Sequence, residues 1–166
     1  MSTSLTLHIR PYRAADEQAV IDVILPIQRE ELGVAITADD QPDLRAIPDF
    51  YQRGSGNFWV AEVSGQVVGT IGLKDIGEGQ AALRKMFVAA PYRGREHGVA
   101  HALLARLLAD ARTAGLREIV LGTTEKFLAA HRFYEKQGFV PIPADALPER
   151  FPRMAVDTRF YRLALT

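Results

Sequence analysis

The sequence contains no cysteine among its 166 residues. This excludes disulfide bonds, iron–sulfur clusters, thiolate zinc sites and cysteine nucleophiles. It also lacks an excess of either charge, because Lys plus Arg and Asp plus Glu both number 20. A nucleic-acid-binding protein usually carries a basic excess that neutralises phosphates, so no nucleic-acid partner is expected.

Long apolar runs are missing as well. No stretch approaches the roughly 20 apolar residues that span a bilayer. Residues 1–10 lack the basic start and apolar core of a signal peptide. We therefore expect a cytoplasmic protein with no membrane partner. A chain of 166 residues, of which 48% are hydrophobic, suits one domain over 1–166.

The hydrophobic periodicity predicts an α/β fold with a mixed sheet, in the order β-α-α-β-β-β-α-β-α-β-β. The first strand is predicted over Leu5–Arg10, and a helix opens at Asp16. Pro26 lies inside that helix and predicts a kink or an early end. The acidic segment Glu30–Pro48 is irregular, with a short helical piece over Asp43–Tyr51. It fits either acceptor recognition or a solvated connector.

The middle and end of the chain supply the other strands and helices. A three-stranded antiparallel meander is followed by a strand–helix–strand unit that implies a parallel strand pair. Gly115 and Gly138 are predicted to end the two long helices, and Thr123 or Thr124 to cap the second. The predicted bounds are strands Phe58–Val63, Val67–Leu73 and Ala81–Val88, helix Gly98–Ala114, strand Ile119–Leu121, helix Glu125–Gln137, and strands Phe139–Ile142 and Asp157–Leu165.

An anion-binding pattern, Arg95-x-x-Gly98-x-Ala100, lies where a strand ends and a long helix starts. The first amides of a helix have no intrahelical partner, and the helix dipole places partial positive charge there. Gly98 permits close approach of an oxygen, while Arg93 and Arg95 carry charges suited to phosphate. The pattern predicts a phosphate or pyrophosphate site. The same residues also fit a solvated arginine loop before an ordinary helix.

Two segments together resemble the GNAT superfamily of acetyl-CoA-dependent N-acetyltransferases. The run Tyr92–Ala100 is similar to motif A of that family, Arg/Gln-x-x-Gly-x-Gly/Ala. The run Ala129–Phe139 is similar to its Ala-x-x-x-Tyr-x-x-x-Gly-Phe signature. The two runs fall in the family order, about one helix and one strand apart, and the resemblance covers roughly Phe58–Phe139.

The resemblance implies a GNAT-like fold, acetyl-CoA as co-substrate and no metal. Amides of the loop before the long helix would bind the coenzyme A pyrophosphate. The backbone at Met86–Val88 would pair with the pantetheine arm, in a slot left where the strand of Leu121 splays away. Tyr134 would lie near the thioester sulfur as the general acid. The implied cofactor-binding residues are Met86, Phe87, Val88, Arg93, Gly94, Arg95, Glu96, His97, Gly98, Val99, Ala100, Thr123, Thr124, Phe127, Ala130 and Tyr134.

The sequence departs from the family pattern in two places. Glu96 and His97 interrupt the common form Tyr-Arg-Gly-x-Gly-x-Gly, so the comparison is anchored on Gly98, where the helical pattern begins. Many members carry an asparagine at the start of the second signature helix. Phe127 occupies that position here, and a hydroxyl of the preceding threonine pair could serve instead.

The predicted function is acetyl transfer from acetyl-CoA to a primary amine of a small molecule or peptide, by direct attack. A backbone amide near Val88 is the expected oxyanion donor, by analogy with the family. The general base is not identified. Its candidates, which also fit ordinary surface carboxylates, are Glu30, Glu31, Asp75 and Glu78. The alternative is a non-catalytic module of the same fold that binds or senses acyl-CoA.

The histidines are not expected to bind a metal or to be catalytic. His97-x-x-x-His101 has the spacing of zinc ligands on a helix, but Gly98 stands where a metalloprotease needs Glu. No third ligand is evident, so no metal is predicted. His131 is expected at the surface. The partner expected is the amine acceptor, and a homodimer is left open.

Overall fold

The computed structural model describes residues 6–94, 97–125, 127–155 and 157–165. A seven-stranded mixed sheet forms its centre, in the order β1-β2-β3-β4-β5-β7-β6. The strands are β1 (Leu7–Pro11), β2 (Asn57–Val63), β3 (Gln66–Gly77), β4 (Gln80–Val88), β5 (Glu118–Thr123), β6 (Val140–Ile142) and β7 (Arg159–Ala164). The α-helices are α1 (Glu17–Pro26), α2 (Ile47–Phe50), α3 (Val99–Thr113) and α4 (Leu128–Lys136).

The predicted mixed α/β fold is confirmed, including its parallel centre. Strands β1 to β4 are antiparallel neighbours, whereas β4 and β5, joined through α3, run parallel. The hairpin between β2 and β3 turns at Ser64 and Gly65, both with positive φ, as two-residue hairpins require. The sequence did not predict that β7 would insert between β5 and β6.

Helices cover both faces of the sheet. Along β2, Phe58 and Val60 belong to a core cluster with α1 and α2, while Trp59 and Ala61 belong to a second cluster with α3 and α4. All four are essentially inaccessible to solvent. This alternation places successive side chains on opposite faces, and both faces of the central strands are apolar because both are covered.

Pro26 ends the first α-helix, which confirms its predicted effect. The chain continues as one π-helical stretch, Ile27–Glu31. Short helical pieces over Pro42–Arg45 and Ile47–Phe50 confirm the one predicted between residues 43 and 51. This irregular segment, residues 27–50, therefore lies packed beside the sheet, with Leu44 fully buried.

Several predicted bounds were wrong because strand pairing extends beyond the local pattern. Strand β3 continues to Gly77, since β4 pairs with it as far as the turn at residues 78–79. Strand β5 continues to Thr123, which pairs with Arg159. Helix α4 therefore begins only at Leu128, after Phe127 as N-cap, and neither threonine caps it.

His131 is buried, contrary to the surface position expected for it. Its Nε2 lies 2.9 Å from the carbonyl oxygen of Thr124, and its Nδ1 lies 3.3 Å from Arg159 Nη1. The ring also contacts Tyr161, with centroids 6.2 Å apart. His131 therefore holds the β5–α4 connection against β7. In the part of the chain that the structure describes, no helix is long and apolar enough to cross a membrane.

We expect Arg10→Met to lower the free energy of unfolding by about 1–3 kcal/mol at pH 7, since Arg10 makes charge-assisted hydrogen bonds. Its guanidinium donates to Asp16 at 2.8 Å and to Glu62 at 3.1 Å. These bonds hold the pKa of both carboxyls below their usual values. A lowered folded-state pKa gives stability that is present above the unfolded value of about 4 and is lost as pH falls.

Thermal unfolding of both proteins between neutral pH and about pH 3 measures this effect. The difference between wild type and variant should shrink as the carboxyls protonate. The control is Arg53→Met, because Arg53 forms an exposed pair with Asp49 at 3.0 Å. Its loss should cost less than about 0.5 kcal/mol. If the loss of unfolding free energy in Arg10→Met did not change with pH, the stabilisation by Arg10 would not be electrostatic.

Candidate active site

Strands β4 and β5 separate halfway along β4. Their parallel pairing runs only from Gln80 with Glu118 to Leu83 with Leu121. Beyond it, residues 84–88 pair with β3 on one side and have no strand on the other. The slot expected between the strand of Leu121 and that of Val88 is therefore present. No strand pairs with the backbone of residues 84–88 on this side, and the Val88 carbonyl accepts a hydrogen bond from Arg93 instead.

A groove of about 650 Å³ extends from this slot along α3 and α4. Many of the predicted cofactor-binding residues line it together, although they come from four separate parts of the chain. They are Met86, Phe87 and Val88 from β4, Arg93 and Gly94 from the following loop, Gly98 and Ala100 from the start of α3, and Phe127, Ala130 and Tyr134 from α4 and the residue before it.

The start of α3 has the geometry expected of an anion site. Gly98 has φ +65°, and an added Cβ would find nothing within 4 Å. The first intrahelical bond runs from the Ala102 amide to the Gly98 carbonyl at 3.0 Å. The amides before Ala102 are therefore the ones that a helix leaves without partners. They lie at the groove, where the helix dipole favours negative charge.

Two cationic side chains on the groove wall, Arg132 and Lys136, were not identified from the sequence. Arg132 and Lys136 of α4 and His101 of α3 line it beside Arg93, and no carboxylate is among the described lining residues. The spacing of Arg132 and Lys136 places both on one helix face. That spacing was visible inside the second signature. The groove thus suits a ligand with several negative charges.

Some predicted residues lie elsewhere. Val99 points into the core and is 2% exposed. Thr123 and Thr124 line a neighbouring cavity but not the groove, and His97 is exposed beside the ring of Tyr92. The threonine hydroxyls therefore lie away from the groove. Arg95 and Glu96 fall outside the described residues.

Arg93 is held by protein partners. Its Nε donates to the Val88 carbonyl at 2.8 Å, and its Nη atoms lie 2.6 and 3.1 Å from the Glu31 carboxylate. The arginine therefore ties the end of β4 to the π-helical segment. Its charge is shared with Glu31 before any ligand binds.

Tyr134 lies at the junction of the groove and the neighbouring cavity and lines both. It is 5% exposed, and its ring packs against Phe133, Phe139 and Tyr161. Burial raises the pKa of the phenol well above its usual value. The hydroxyl is therefore protonated at neutral pH and able to donate a proton or a hydrogen bond.

The neighbouring cavity is smaller, about 100 Å³, and none of its described lining residues belongs to α3. We call it the inner cavity. It shares Met86, Phe87, Phe127 and Tyr134 with the groove. Its other walls include the π-helical segment, the end of β5, and Phe151, Pro152, Met154 and Asp157. A ligand in the groove and a second ligand in the inner cavity would meet at Tyr134.

Lys85 lies on the wall of the inner cavity and has an unusual backbone. It occupies a β-bulge in which Lys85 and Met86 together face Ile71 of β3. Its φ is +56°, a conformation that a non-glycine residue adopts at a cost. Bulges next to active sites redirect a side chain. Here the bulge places a lysine with a 3% exposed side chain at the cavity, and burial lowers its pKa to about 8.

Asp157 lies on the wall of the inner cavity, next to the end of β5. The carboxyl group contacts Gly122, where even an added Cβ would come within 2.9 Å of it. Glycine in the strand therefore permits this close approach. Asp157 is 8% exposed, and burial raises its pKa. The sequence pattern assigned Asp157 only to a strand, although Gly122, directly after the predicted strand Ile119–Leu121, was a signal of close packing.

The four carboxylates considered as bases from the sequence do not line the inner cavity. Glu30 and Glu78 are exposed, and Glu31 pairs with Arg93. Asp75 accepts hydrogen bonds from the Ser55 and Gly77 amides. Within the residues that the structure describes, no three His, Asp or Glu side chains are grouped so as to hold a metal ion.

Comparisons with known proteins agree with this geometry. The sequence profile of the acetyltransferase (GNAT) family matches residues 22–139. The N-acetylaspartate synthetase of Xenopus tropicalis is 39% identical over 99 residues, which are 58% of this chain and 36% of that protein. The crystal structure of an acetyltransferase of the GNAT family from Staphylococcus aureus Mu50 has a TM-score of 0.93 and 37% identity, covering 97% of this chain and 100% of that one.

A more distant solved structure shares the fold. It is the N-acetylglutamate synthase from Neisseria gonorrhoeae, complexed with coenzyme A and N-acetyl-glutamate. Its TM-score is 0.74 at 18% identity, over 99% of this chain and 36% of that one.

The fold and the groove thus place the protein among the acyltransferases. The chain belongs to the acetyltransferase (GNAT) family, because the family profile matches more than half of it and the Staphylococcus aureus structure matches nearly all of it. This confirms the family resemblance carried by the two motifs.

Proposed function

We propose that the chain is one N-acetyltransferase domain that transfers the acetyl group of acetyl-CoA to a primary amine. The observation that carries this proposal is the junction at Tyr134, where the cationic groove meets the inner cavity. A nucleotide cofactor in the groove would present its acyl end there. The acceptor amine would approach from the inner cavity. The cytoplasmic location stays a prediction of the sequence.

The cofactor would be held by backbone hydrogen bonds and by positively charged side chains. Its pyrophosphate would bind the first amides of α3, with Arg132 and Lys136 supplying positive charge nearby. The pantetheine arm would pair with the unpaired side of Met86–Val88, as an added strand does. Neither contact depends on the identity of the acceptor.

Transfer would proceed by direct attack of the amine on the thioester carbon. A backbone amide near Val88 would stabilise the oxyanion that forms. Tyr134 would protonate the sulfur as it leaves, because its buried hydroxyl is protonated and adjoins both cavities. The small size of the inner cavity favours a small-molecule acceptor over a peptide. The N-acetylaspartate synthetase similarity is in keeping with such an acceptor.

An assay of thiol release with acetyl-CoA and a panel of amines tests this function. We expect thiol release that depends on the amine, together with direct binding of acetyl-CoA in the absence of acceptor. Saturable binding without turnover on any amine would identify a non-catalytic acyl-CoA sensor. An absence of cofactor binding would rule out both functions.

A further inference from the structure

The wall of the inner cavity carries buried charges of both signs, and a single residue contacts both. Met154 lies between them: its amide donates to Asp157 Oδ2 at 2.9 Å, and its sulfur is 3.8 Å from Lys85 Nζ. Arg84 lies beside Lys85 on β4 and lines the same cavity. Buried charges are costly unless they are paired. A ligand that carries charge would therefore stabilise these groups.

The ammonium group of Lys85 is incompletely satisfied by protein groups. Of its three donors, one contacts Gln41 Oε1 at 2.5 Å and another faces the Asp43 carboxylate at 3.8 Å. Asp43 itself accepts a 2.6 Å bond from Tyr51. In the described part of the chain, the third donor has only the thioether sulfur of Met154, which is a weak acceptor. A ligand carboxylate would be a much stronger partner.

Arg84 adds a second cation with donors to spare. Its Nη1 donates to the Pro152 carbonyl at 2.7 Å, and its Nη2 lies 3.9 Å from Asp43. The one carboxylate of Asp43 is thus shared between Arg84, Lys85 and Tyr51. The carboxyl of Asp157 lies farther away but also acts electrostatically on both cations.

Asp157 supplies the opposite charge on the cavity wall. Its Oδ2 accepts from the Met154 amide, and its carboxyl has no further hydrogen-bond donor within the described residues. It lies against Gly122 of β5, and Gly122, Asp157 and Tyr134 line the same cavity. Lys85 instead points toward Gln41, on the side of the π-helical segment. Asp157 therefore lies beside the end of β5, whereas the ammonium group of Lys85 lies beside Gln41.

We propose that the acceptor is a small zwitterion, a primary amine that also carries a carboxylate, such as a free amino acid. Lys85 and Arg84 bind the carboxylate, and Asp157 binds the ammonium group and receives one of its protons. This inference rests on the proposed function, because it names the acceptor of the same site.

The proton transfers balance. The acceptor ammonium gives one proton to Asp157, and the freed electron pair of the nitrogen forms the bond to the thioester carbon. The carbon–sulfur bond then breaks, and the sulfur takes the proton of Tyr134. The nitrogen loses its second proton as the amide forms, and this proton restores the phenol. Asp157 releases the first proton to solvent.

The test measures kcat/KM of the wild-type protein for matched acceptors: free α-amino acids, their carboxamides, and the simple amines that lack the carboxyl carbon. We expect the best amino acid to exceed its carboxamide and its simple amine by roughly tenfold to a hundredfold, the range for a hydrogen bond to a charged group. Equal or faster turnover of the carboxamide or the simple amine would overturn the inference.

Variants of Lys85 test whether this residue causes the preference for an amino acid over its carboxamide. Lys85→Met should reduce the ratio of amino acid to carboxamide turnover by roughly tenfold or more, whereas Lys85→Arg should retain much of it. The control is Lys74→Met, because the ammonium group of Lys74 lies over Phe50 and outside the cavity. An unchanged ratio in Lys85→Met would overturn the role of Lys85. If that variant does not fold, the wild-type acceptor panel still decides the proposal.

Asp157→Asn tests the other end of the acceptor. It should lower kcat/KM for the amino acid and its carboxamide alike, since both present an ammonium group, and an unchanged value would exclude Asp157. Binding of acetyl-CoA without acetylation of any amine would overturn the proposed function and the inference together. If amines with and without a carboxylate were acetylated equally well, the proposed function would stand. Only the inference of a zwitterionic acceptor would be overturned.

Discussion

Tyr134→Phe is expected to lower kcat for acetyl transfer by about two orders of magnitude, the usual contribution of a general acid. Binding of acetyl-CoA should stay within about twofold, because the ring keeps its packing against Phe133, Phe139 and Tyr161. Only the hydroxyl at the junction of the groove and the inner cavity is removed. The loss should therefore appear in kcat more than in KM.

The dependence on pH gives this prediction a second readout. An acid must be protonated to act, so its contribution is lost as pH rises through its pKa. Burial raises the pKa of Tyr134, which moves that loss above the ordinary phenol value of about 10. Wild-type kcat should therefore show no decline from this group between about pH 7 and pH 9. Thiol release measured over this range checks it.

Tyr161→Phe is the matched control. Tyr161 is as deeply buried and contacts the Tyr134 ring, but its hydroxyl donates to Glu135 at 2.7 Å and it lines neither the groove nor the inner cavity. Its variant should keep kcat within about twofold, since no group at the reacting atoms changes. Equal kcat for wild type and Tyr134→Phe across the pH range would exclude the acid role.

Gly98→Asp is expected to weaken acetyl-CoA binding by roughly tenfold or more relative to Gly98→Asn, because it adds a negative charge beside the proposed pyrophosphate site. Asparagine and aspartate both tolerate the left-handed φ of +65° found here. Nothing lies within 4 Å of the added Cβ in either variant. Comparing the two therefore isolates charge from shape and strain.

Calorimetric titration with acetyl-CoA at low and high salt measures the effect, which should shrink as salt screens the added charge. Gly115 at the far end of α3 provides the control pair. It too has a positive φ of +83° and open space around an added Cβ. Gly115→Asp and Gly115→Asn should bind acetyl-CoA alike. If the two Gly98 variants also bound alike, the pyrophosphate would have to lie elsewhere.

What could be predicted from the sequence depends on whether the information is local. The period of α3 and the apolar run of β2 before the Ser64-Gly65 turn are set by neighbouring residues, so both elements were predicted nearly in full. The end of β5 is different, because Thr123 is extended only through its pairing with Arg159 of β7. The same pairing delays the start of α4 and removes the predicted threonine cap.

The same difference between local and long-range information separates the groove from the inner cavity. Most of the groove residues lie in or next to the two sequence motifs, so the family resemblance of those motifs was enough to group them. The inner cavity joins Lys85 to Asp157 through Met154, across separate strands and a connecting segment. No sequence period relates these residues. Only the bulge in β4 and the absence of a side chain at Gly122 bring them to one wall.

The splayed edge of β4 also bears on solubility. Unpaired strand edges ordinarily template the association of one chain with another, and proteins protect them with charges, prolines or covering elements. Residues 84–88 form such an edge, yet it lies between the third and fifth strands of the sheet rather than at its rim. A strand of another folded molecule cannot reach it, whereas a thin flexible arm can. The sheet can thus offer hydrogen bonds to a ligand without inviting aggregation.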